Sequence, residues 1–496
     1  MKLRRILSLF IVLALSFSLV VGCNGEDPVT PPPVGSETNG NGNNGSGSDS
    51  NGGDSSDPWS HMPVTGVMPD GSVRDLGGMV IEIGCFWVPD VVEPTTEYNR
   101  ARLEYRDYIM TRHNFTMREV EIGGHGDHAD IIAATTLANN PIAAINNVDP
   151  GRVVSLVRNN MFFDVSQITG IDLTVPKWNS HIREAMSFDG GTYGFVHNYN
   201  QFNAGVIFFN KDVLREAGID PELPYDLQLA NEWTWDAMLE IAEAVTRDVD
   251  GDGIIDYFGF CLFSNRTMLS AMASNGARFI GRDDNGRFYN AASGSLAALQ
   301  AFDHVRDFAT RELTQPQPEG VAYDWWRDGF REGRAAFLVY EEFGKDDFAT
   351  VPFDWGMVLY PRGPQMDKLT SIYYENVKTI PSVFSLAEAE DIIFAYDLWT
   401  NEPPGYEDDG MAWKYELYER YRDSRAVDET VAMIRSGDYT TLRLDGYVMG
   451  GEDVGLFTYD VWNMEHTGAQ LLESASQIWD TRVNTANTAL DAWSNN

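Results

Sequence analysis

The sequence predicts an α/β fold built on parallel sheets, and three observations carry that prediction. Short β-branched apolar runs read as buried strands, and segments of helical periodicity follow them in regular alternation. The same strand-then-helix logic starts again near residue 205. The chain, 496 residues with 43% hydrophobic side chains, is long enough for two or three lobes with real cores.

Each element has a local reason. MVIEIGCFW (79–87) is a buried strand, and RARLEYRDYIMTRHN after it places Leu103, Tyr105, Tyr108 and Ile109 on one helical face. A strand around FTMREVEI, a helical IIAATTLANN, the apolar run PIAAINNVD and a helix from about Gly151 to Asn160 come next. GVIFFN (205–210) is a strand, and KDVLREAG is a short helix closed by Gly218. IDPELPYDLQLANE reads as a loop. Thr234 then caps the helix WDAMLEIAEAVTR, with Asp236 in its first turn. RAAFLVY and DWGMVLYP read as strands, and Ser385 with Glu388 forms a capping box for a helix carrying Ile392, Ile393, Tyr396 and Trp399. The last hundred residues read as mainly helical.

The stretch DVDGDGIIDYFGF (248–260) follows the Thr234-capped helix. An EF-hand loop takes oxygen ligands from its odd positions and needs glycine at the sixth. Asp248, Asp250, Asp252, the carbonyl of Ile254 and Asp256 fill those places, with Gly253 at the turn. The twelfth position, which should be glutamate, is Gly259, and a strand follows where a sensor has an exit helix. The expectation is a structural Ca²⁺ tying a helix end to the next strand; the alternative is a solvated acidic turn, whose clustered carboxylates would repel. GGHGDHADI brings His125 and His128 near Asp127 and Asp130, too few ligands of fixed geometry for a transition metal, and reads as a polar surface loop.

The N-terminus, MKLRRILSLFIVLALSFSLVVGC, has a basic start and an apolar run, the pattern of a secretory signal peptide over 1–22. Val20-Val21-Gly22-Cys23 resembles the lipobox of bacterial lipoproteins, which implies a lipidated, palmitate-bearing Cys23 at the outer face of the cell membrane. Residues 23–77 are rich in Gly, Asn, Ser and Pro and read as a flexible tether. Acids outnumber bases 74 to 36, a formal charge of −38, which argues against nucleic acid as a partner. Cys85 and Cys261 would meet an oxidising compartment; they could pair, although two separate buried thiols are the expectation.

Several passages together resemble the extracellular solute-binding proteins of ABC importers, the sugar-binding group that includes maltose-binding protein. YGFVHNYNQFNAGVIFFNKDVLREAGID is similar to a family passage centred on Phe209-Asn210-Lys211-Asp212. NEWTWDAMLEIAEAVT, the acidic loop, SNGARFIGRDDNGRFYN, FREGRAAFLVYEEF and DWGMVLYPRGP match further family motifs in the family's order. The resemblance implies a two-lobed periplasmic-binding-protein-like fold (type II), with lobe one at 79–197 plus 337–375 and lobe two at 198–336 plus 376–496. It implies a monomeric, non-catalytic receptor that closes on a carbohydrate and docks on ABC permease subunits.

A sugar presents apolar CH faces and a belt of hydroxyls, so its site needs aromatic platforms and planar polar groups. By family position the cleft candidates are Trp87, Asn146, Asn147, Asn198, Tyr199, Asn200, Asn275, Trp326, Glu341, Glu342, Phe343, Tyr373, Tyr374, Glu375 and Asn376. Trp233 and Trp235 open a helix and read as structural. The family's usual tryptophan is Phe343 here, and its Gly-Gly near 374 is Tyr374-Glu375, so ligand size is not inherited. Two other classes compete. A surface glycosidase would need two acids, such as Glu341 and Glu375, about 5 to 10 Å apart; no G-x-S-x-G, H-E-x-x-H or phosphate-loop motif is present. A polysaccharide-binding adhesin is the third.

Overall fold

A computed structural model describes residues 59–493, apart from 69, 90–91, 189, 198–202, 263, 322–324, 408–411, 419 and 450–465. The signal segment, Cys23, most of the tether and Asn198, Tyr199 and Asn200 lie outside the described residues. Fourteen strands are described, taken in chain order. β1 (Met79–Cys85), β2 (Phe115–Glu121) and β3 (Ile145–Val148) are followed by a hairpin of β4 (Ser187–Phe188) and β5 (Gly191–Thr192). β6 (Gly205–Asn210), β7 (Phe258–Leu262), a hairpin of β8 (Ile280–Arg282) and β9 (Phe288–Asn290), β10 (Ala335–Glu341) and β11 (Trp355–Leu359) come next. The last are β12 (Ser371–Tyr373), β13 (Val377–Thr379) and β14 (Thr440–Leu442).

Two four-stranded sheets organise the chain. The first has the order β13-β3-β1-β2, with β1 parallel to β2 and β3, and β13 antiparallel to β3. The second has the order β11-β6-β10-β7, with β10 parallel to β7 and β6 antiparallel to both β10 and β11. Every residue of β6, β7, β10 and β11 is buried, because helices cover both faces and leave no polar side to alternate.

Most elements stand where the sequence places them. The helix Glu97–His113 buries Tyr105, Tyr108 and Ile109, the helix Trp235–Val245 is capped by Thr234 accepting from Ala237 N, and the capping box of Ser385 and Glu388 opens the helix Leu386–Trp399. Trp233 and Trp235 are structural: the Trp233 indole donates to Leu359 O at 2.9 Å, and Trp235 stacks on His304 at 3.9 Å. Cys85 and Cys261 are buried, free thiols.

Two expectations are corrected. Leu223–Leu229 is a helix inside the stretch read as loop, opened by Pro224 in its first turn and packed beneath β11. The lobe assignments between about 337 and 400 are exchanged, while the chain after 412 lies in the second lobe as expected. β10 and β11 pair with β6 and β7 in the second sheet, whereas β13 pairs with β3, and Ile392 and Ile393 pack with Ile81 and Ile83 in the first lobe. The chain therefore crosses between lobes ahead of β6 and returns between β12 and β13. The helices after residue 412 then supply Leu417, Tyr421, Val427 and Trp479 to the second core. A fully buried strand is apolar on both faces, so its residues do not encode which sheet it joins.

β7 lies so close to the helix Trp235–Val245 that a Cβ on Gly259 would come within 2.5 Å of the Ala242 Cβ and 3.0 Å of its backbone. This contact accounts for the missing glutamate of the acidic loop, since no side chain fits at its twelfth position. Gly259→Glu, which restores the EF-hand residue, is expected to destabilise the protein by at least about 2 kcal/mol without tightening Ca²⁺ binding, as read by urea unfolding and metal titration.

Candidate functional site

The carboxyl ends of β1, β2 and β3 in one lobe, and of β7, β10 and β11 in the other, carry the loops from which the site is built. In open α/β sheets that is where ligands bind. The first lobe contributes Phe86 and Trp87, in edge contact at 4.9 Å, with Phe86 packed on His128 at 4.5 Å. Trp87 is 38% exposed, which suits a platform for an apolar face. Asn147 donates to the Cys85 thiol at 3.1 Å, and the Oδ1 atoms of Asn146 and Asn147 are buried without a partner. Asp149 caps the helix Pro150–Arg158 and faces His125 at 3.6 Å.

The second lobe contributes a residue that sequence reasoning passed over. Arg266, in the first turn of the helix Ser264–Ser274, is 5% exposed and forms an ion pair with Glu341 at the end of β10. Its guanidinium carbon sits 5.2 Å from the centre of the Tyr374 ring, while its Nε and Nη1 groups are buried without an acceptor. Burial pulls the Arg266 pKa down to about 10, which still leaves it protonated at neutral pH. The only signal in the sequence was its place, just past the carboxyl end of a parallel strand.

The crossover between β12 and β13 joins the two sets. Tyr374 interacts electrostatically with Arg266, Asp149, Arg443 and Glu375, groups drawn from both lobes and the crossover. The Tyr447 hydroxyl donates to Glu375 O at 2.6 Å and accepts from Glu375 N at 3.2 Å. Arg443 pairs with Asp445 at 2.7 Å, and its N–H donates to Tyr373 O at 2.8 Å. Asn376 keeps a buried Oδ1 without a partner. The lobes also meet where the helix Leu444–Met449 packs on the helix Pro150–Arg158, with Gly446 against Pro150, and where Arg282 donates to the carbonyls of Glu184 at 2.8 Å and Ser187 at 3.1 Å.

Other candidates are engaged by the protein's own groups. Asn275 is fully buried, donating to Ala297 O at 2.9 Å and accepting from Gln365 N at 2.9 Å. Trp326 is a core side chain packed on Tyr340 at 4.5 Å. Glu342 is committed to Lys345 at 3.1 Å and to the Tyr421 hydroxyl, and Phe343 packs edge-on to Tyr340 at 5.2 Å. Tyr373 is buried in β12 with its hydroxyl 2.9 Å from His181 Nδ1. Each is a residue type suited to sugar contact, and each has a partner within the protein.

The His125/His128 loop is only half a surface loop. His125 is exposed, but His128 is buried with Nδ1 on His125 O at 3.0 Å and Nε2 accepting from Asp149 N at 3.4 Å, and burial lowers its pKa. In the acidic loop, carboxylate oxygens of Asp248, Asp250 and Asp256 lie within 4.8 Å of one another, the one such set among the described residues. Gly251 and Gly253 adopt positive φ there, letting their N–H groups turn inward to Asp248, which holds that carboxyl below its ordinary value. Asp252 lies outside the cluster, accepting from Ile254 N at 2.8 Å.

A family profile described as bacterial extracellular solute-binding protein matches residues 104–379. Three solved structures illustrate the likeness. An ABC substrate-binding protein from Listeria monocytogenes, in complex with cycloalternan, is 16% identical over 82% of this chain and 99% of its own, with a TM-score of 0.55. The cyclic α-maltosyl-1,6-maltose binding protein of Arthrobacter globiformis is 13% identical over 82% and 100%, with a TM-score of 0.60. A receptor of Streptomyces glaucescens, solved unliganded and with acarbose, is 11% identical over 82% and 99%, with a TM-score of 0.55. At these identities the likeness is one of fold. No curated protein matches in sequence.

Glu375 gives the site a pH signature. Burial pushes its carboxyl from an ordinary value near 4.5 up to about 7, with Lys378 opposing and Glu342 adding to the rise. The neutral form is favoured on folding, so its contribution to stability is complete below about pH 4.5 and is lost as pH rises through about 7. Glu375→Gln should therefore gain in Tm over the parent as pH climbs from 4.5 to 8 without ligand; a difference independent of pH in differential scanning calorimetry contradicts this.

Proposed function

Because this chain belongs to the bacterial extracellular solute-binding protein family, we propose that it is a lipid-anchored extracytoplasmic receptor that captures an oligosaccharide between its lobes and presents it to an ABC permease. The observation that carries the reading is the crossover Tyr374-Glu375-Asn376, which runs from β12 on the second-lobe side to β13 in the first sheet and holds its Tyr374 ring 5.2 Å from the Arg266 guanidinium of the second lobe. A ligand held there touches both lobes at once, so binding favours the closed arrangement, and closure distinguishes loaded from empty receptor for a permease. The aromatic pair Phe86 and Trp87 with buried amide and guanidinium groups suits a molecule of apolar faces and hydroxyl edges. The cycloalternan and acarbose complexes, and the cyclic maltosyl-maltose named for the third similar protein, support the same class.

The lipid anchor rests on Cys23 in its lipobox-like setting. No helix among the described residues is long and apolar enough to cross a membrane. A glycosidase reading is not favoured. Glu341 is engaged by Arg266 in a buried ion pair and does not stand free in the cleft as a paired catalytic acid would.

For the loop at 248–256 we read a structural Ca²⁺ held by Asp248, Asp250 and Asp256, clamping the end of the helix Trp235–Val245 to β7. The ion lies in the second lobe and supports it without touching the cleft residues.

Two measurements test these readings. In a thermal-shift screen of neutral and acidic oligosaccharides, at least one is expected to raise the Tm; if only a non-sugar solute does so, the carbohydrate assignment fails. Chelation by EDTA should lower the Tm, since an ion at about a hundred times its Kd contributes about 2.7 kcal/mol. An unchanged melting curve with no calcium in elemental analysis removes the metal site.

A further inference from the structure

Arg266 is an unusual side chain to bury. It lies 5% exposed, its Nη2 edge is taken by Glu341, and its Nε and Nη1 donors have no acceptor in the protein. A buried donor left without an acceptor is costly, and two on one guanidinium call for oxygens from outside the protein. The neighbouring charges say which oxygens. Around Arg266 and Tyr374, Arg266 is neutralised by Glu341 and Arg443 by Asp445, both through direct ion pairs. Asp149 and Glu375 also act electrostatically on Tyr374, and Lys378 on Glu375. Each arginine already holds its carboxylate.

We infer that Arg266 sets the class of ligand: laid on Tyr374 and neutralised by Glu341, it donates to hydroxyl or ring oxygens of an uncharged sugar, and neither it nor the paired Arg443 offers an uncompensated charge to a uronate. This rests on the carbohydrate reading above and narrows it. The Glu341 carboxylate has a double part, orienting the guanidinium and excluding a second carboxylate by like-charge repulsion. Arg266 is thus a specificity residue and Glu341 its positioning partner.

The test is isothermal titration of the full folded receptor with neutral trisaccharides (maltotriose, mannotriose, cellotriose, galactotriose) and with trigalacturonate and trimannuronate. The wild-type protein should bind at least one neutral trisaccharide and neither uronate. Arg266→Lys, which keeps the charge but loses the planar fork, should weaken the neutral ligand about 10- to 100-fold. Glu341→Gln should weaken the neutral ligand and let a uronate bind measurably, a gain that a merely structural role would not produce. Because a lone buried charge can unfold the protein, the double variant Arg266→Met with Glu341→Met serves as a second probe; it should keep the wild-type Tm within a few degrees and lose binding. Tighter uronate than neutral binding by the wild type, or unchanged affinity in Arg266→Lys, overturns the inference while leaving the carbohydrate reading intact. Binding of neither set overturns both.

Discussion

A charge taken out of water must be met by an opposite charge or by hydrogen-bond partners, and much of this molecule's functional architecture follows from how it meets that constraint at Arg266. The arginine sits at the carboxyl end of β7, in the first turn of the helix that follows, so its place is fixed by the second sheet. Glu341 reaches it from the end of the adjacent strand β10, and Tyr374 covers it from the crossover that leads back to the first lobe. One ion pair therefore ties a strand end, a helix start and a crossover segment to a single point. The protein does not complete its solvation, and the two remaining donors define what a bound molecule must bring.

The crossover adds a second constraint. Residues 371–373 pair with 440–442 on the second-lobe side, and 377–379 pair with 146–148 in the first sheet. Only Tyr374, Glu375 and Asn376 lie between those two ladders, so this lobe crossing is three residues long and carries the ring on which Arg266 is laid. Binding and hinge geometry are coupled through a segment too short to move independently of either sheet. The acidic loop, by contrast, lies between the helix Trp235–Val245 and β7, where the close approach of Gly259 to Ala242 leaves no room for a sensor's twelfth ligand.

Much of the fold was legible in the sequence because its signals are local. Fully apolar runs such as GVIFFN, the Thr234 cap and the Ser385–Glu388 box report on their own few residues, and the structure has each where the sequence places it. The assignment of β10, β11 and β13 to lobes was not legible, since pairing partners are chosen by contacts far away along the chain. The site was half legible for the same reason. Trp87, Asn146, Asn147, Glu341, Tyr374, Glu375 and Asn376 fall at strand ends or on the crossover, whereas Asn275, Trp326, Glu342 and Tyr373 have residue types that serve equally well inside a core. Arg266 looks in sequence like an ordinary basic residue near a helix start, and only its burial beside Glu341 distinguishes it.

The central claim is that one ligand engages both lobes through the groups around Tyr374. Hydrogen–deuterium exchange with and without the sugar that most raises the Tm tests it most directly. The account predicts simultaneous protection in the segments around 146–149, 264–268, 341–343 and 373–377, which belong to both lobes and the crossover. Protection confined to one lobe, or to the loop at 248–256, would contradict it.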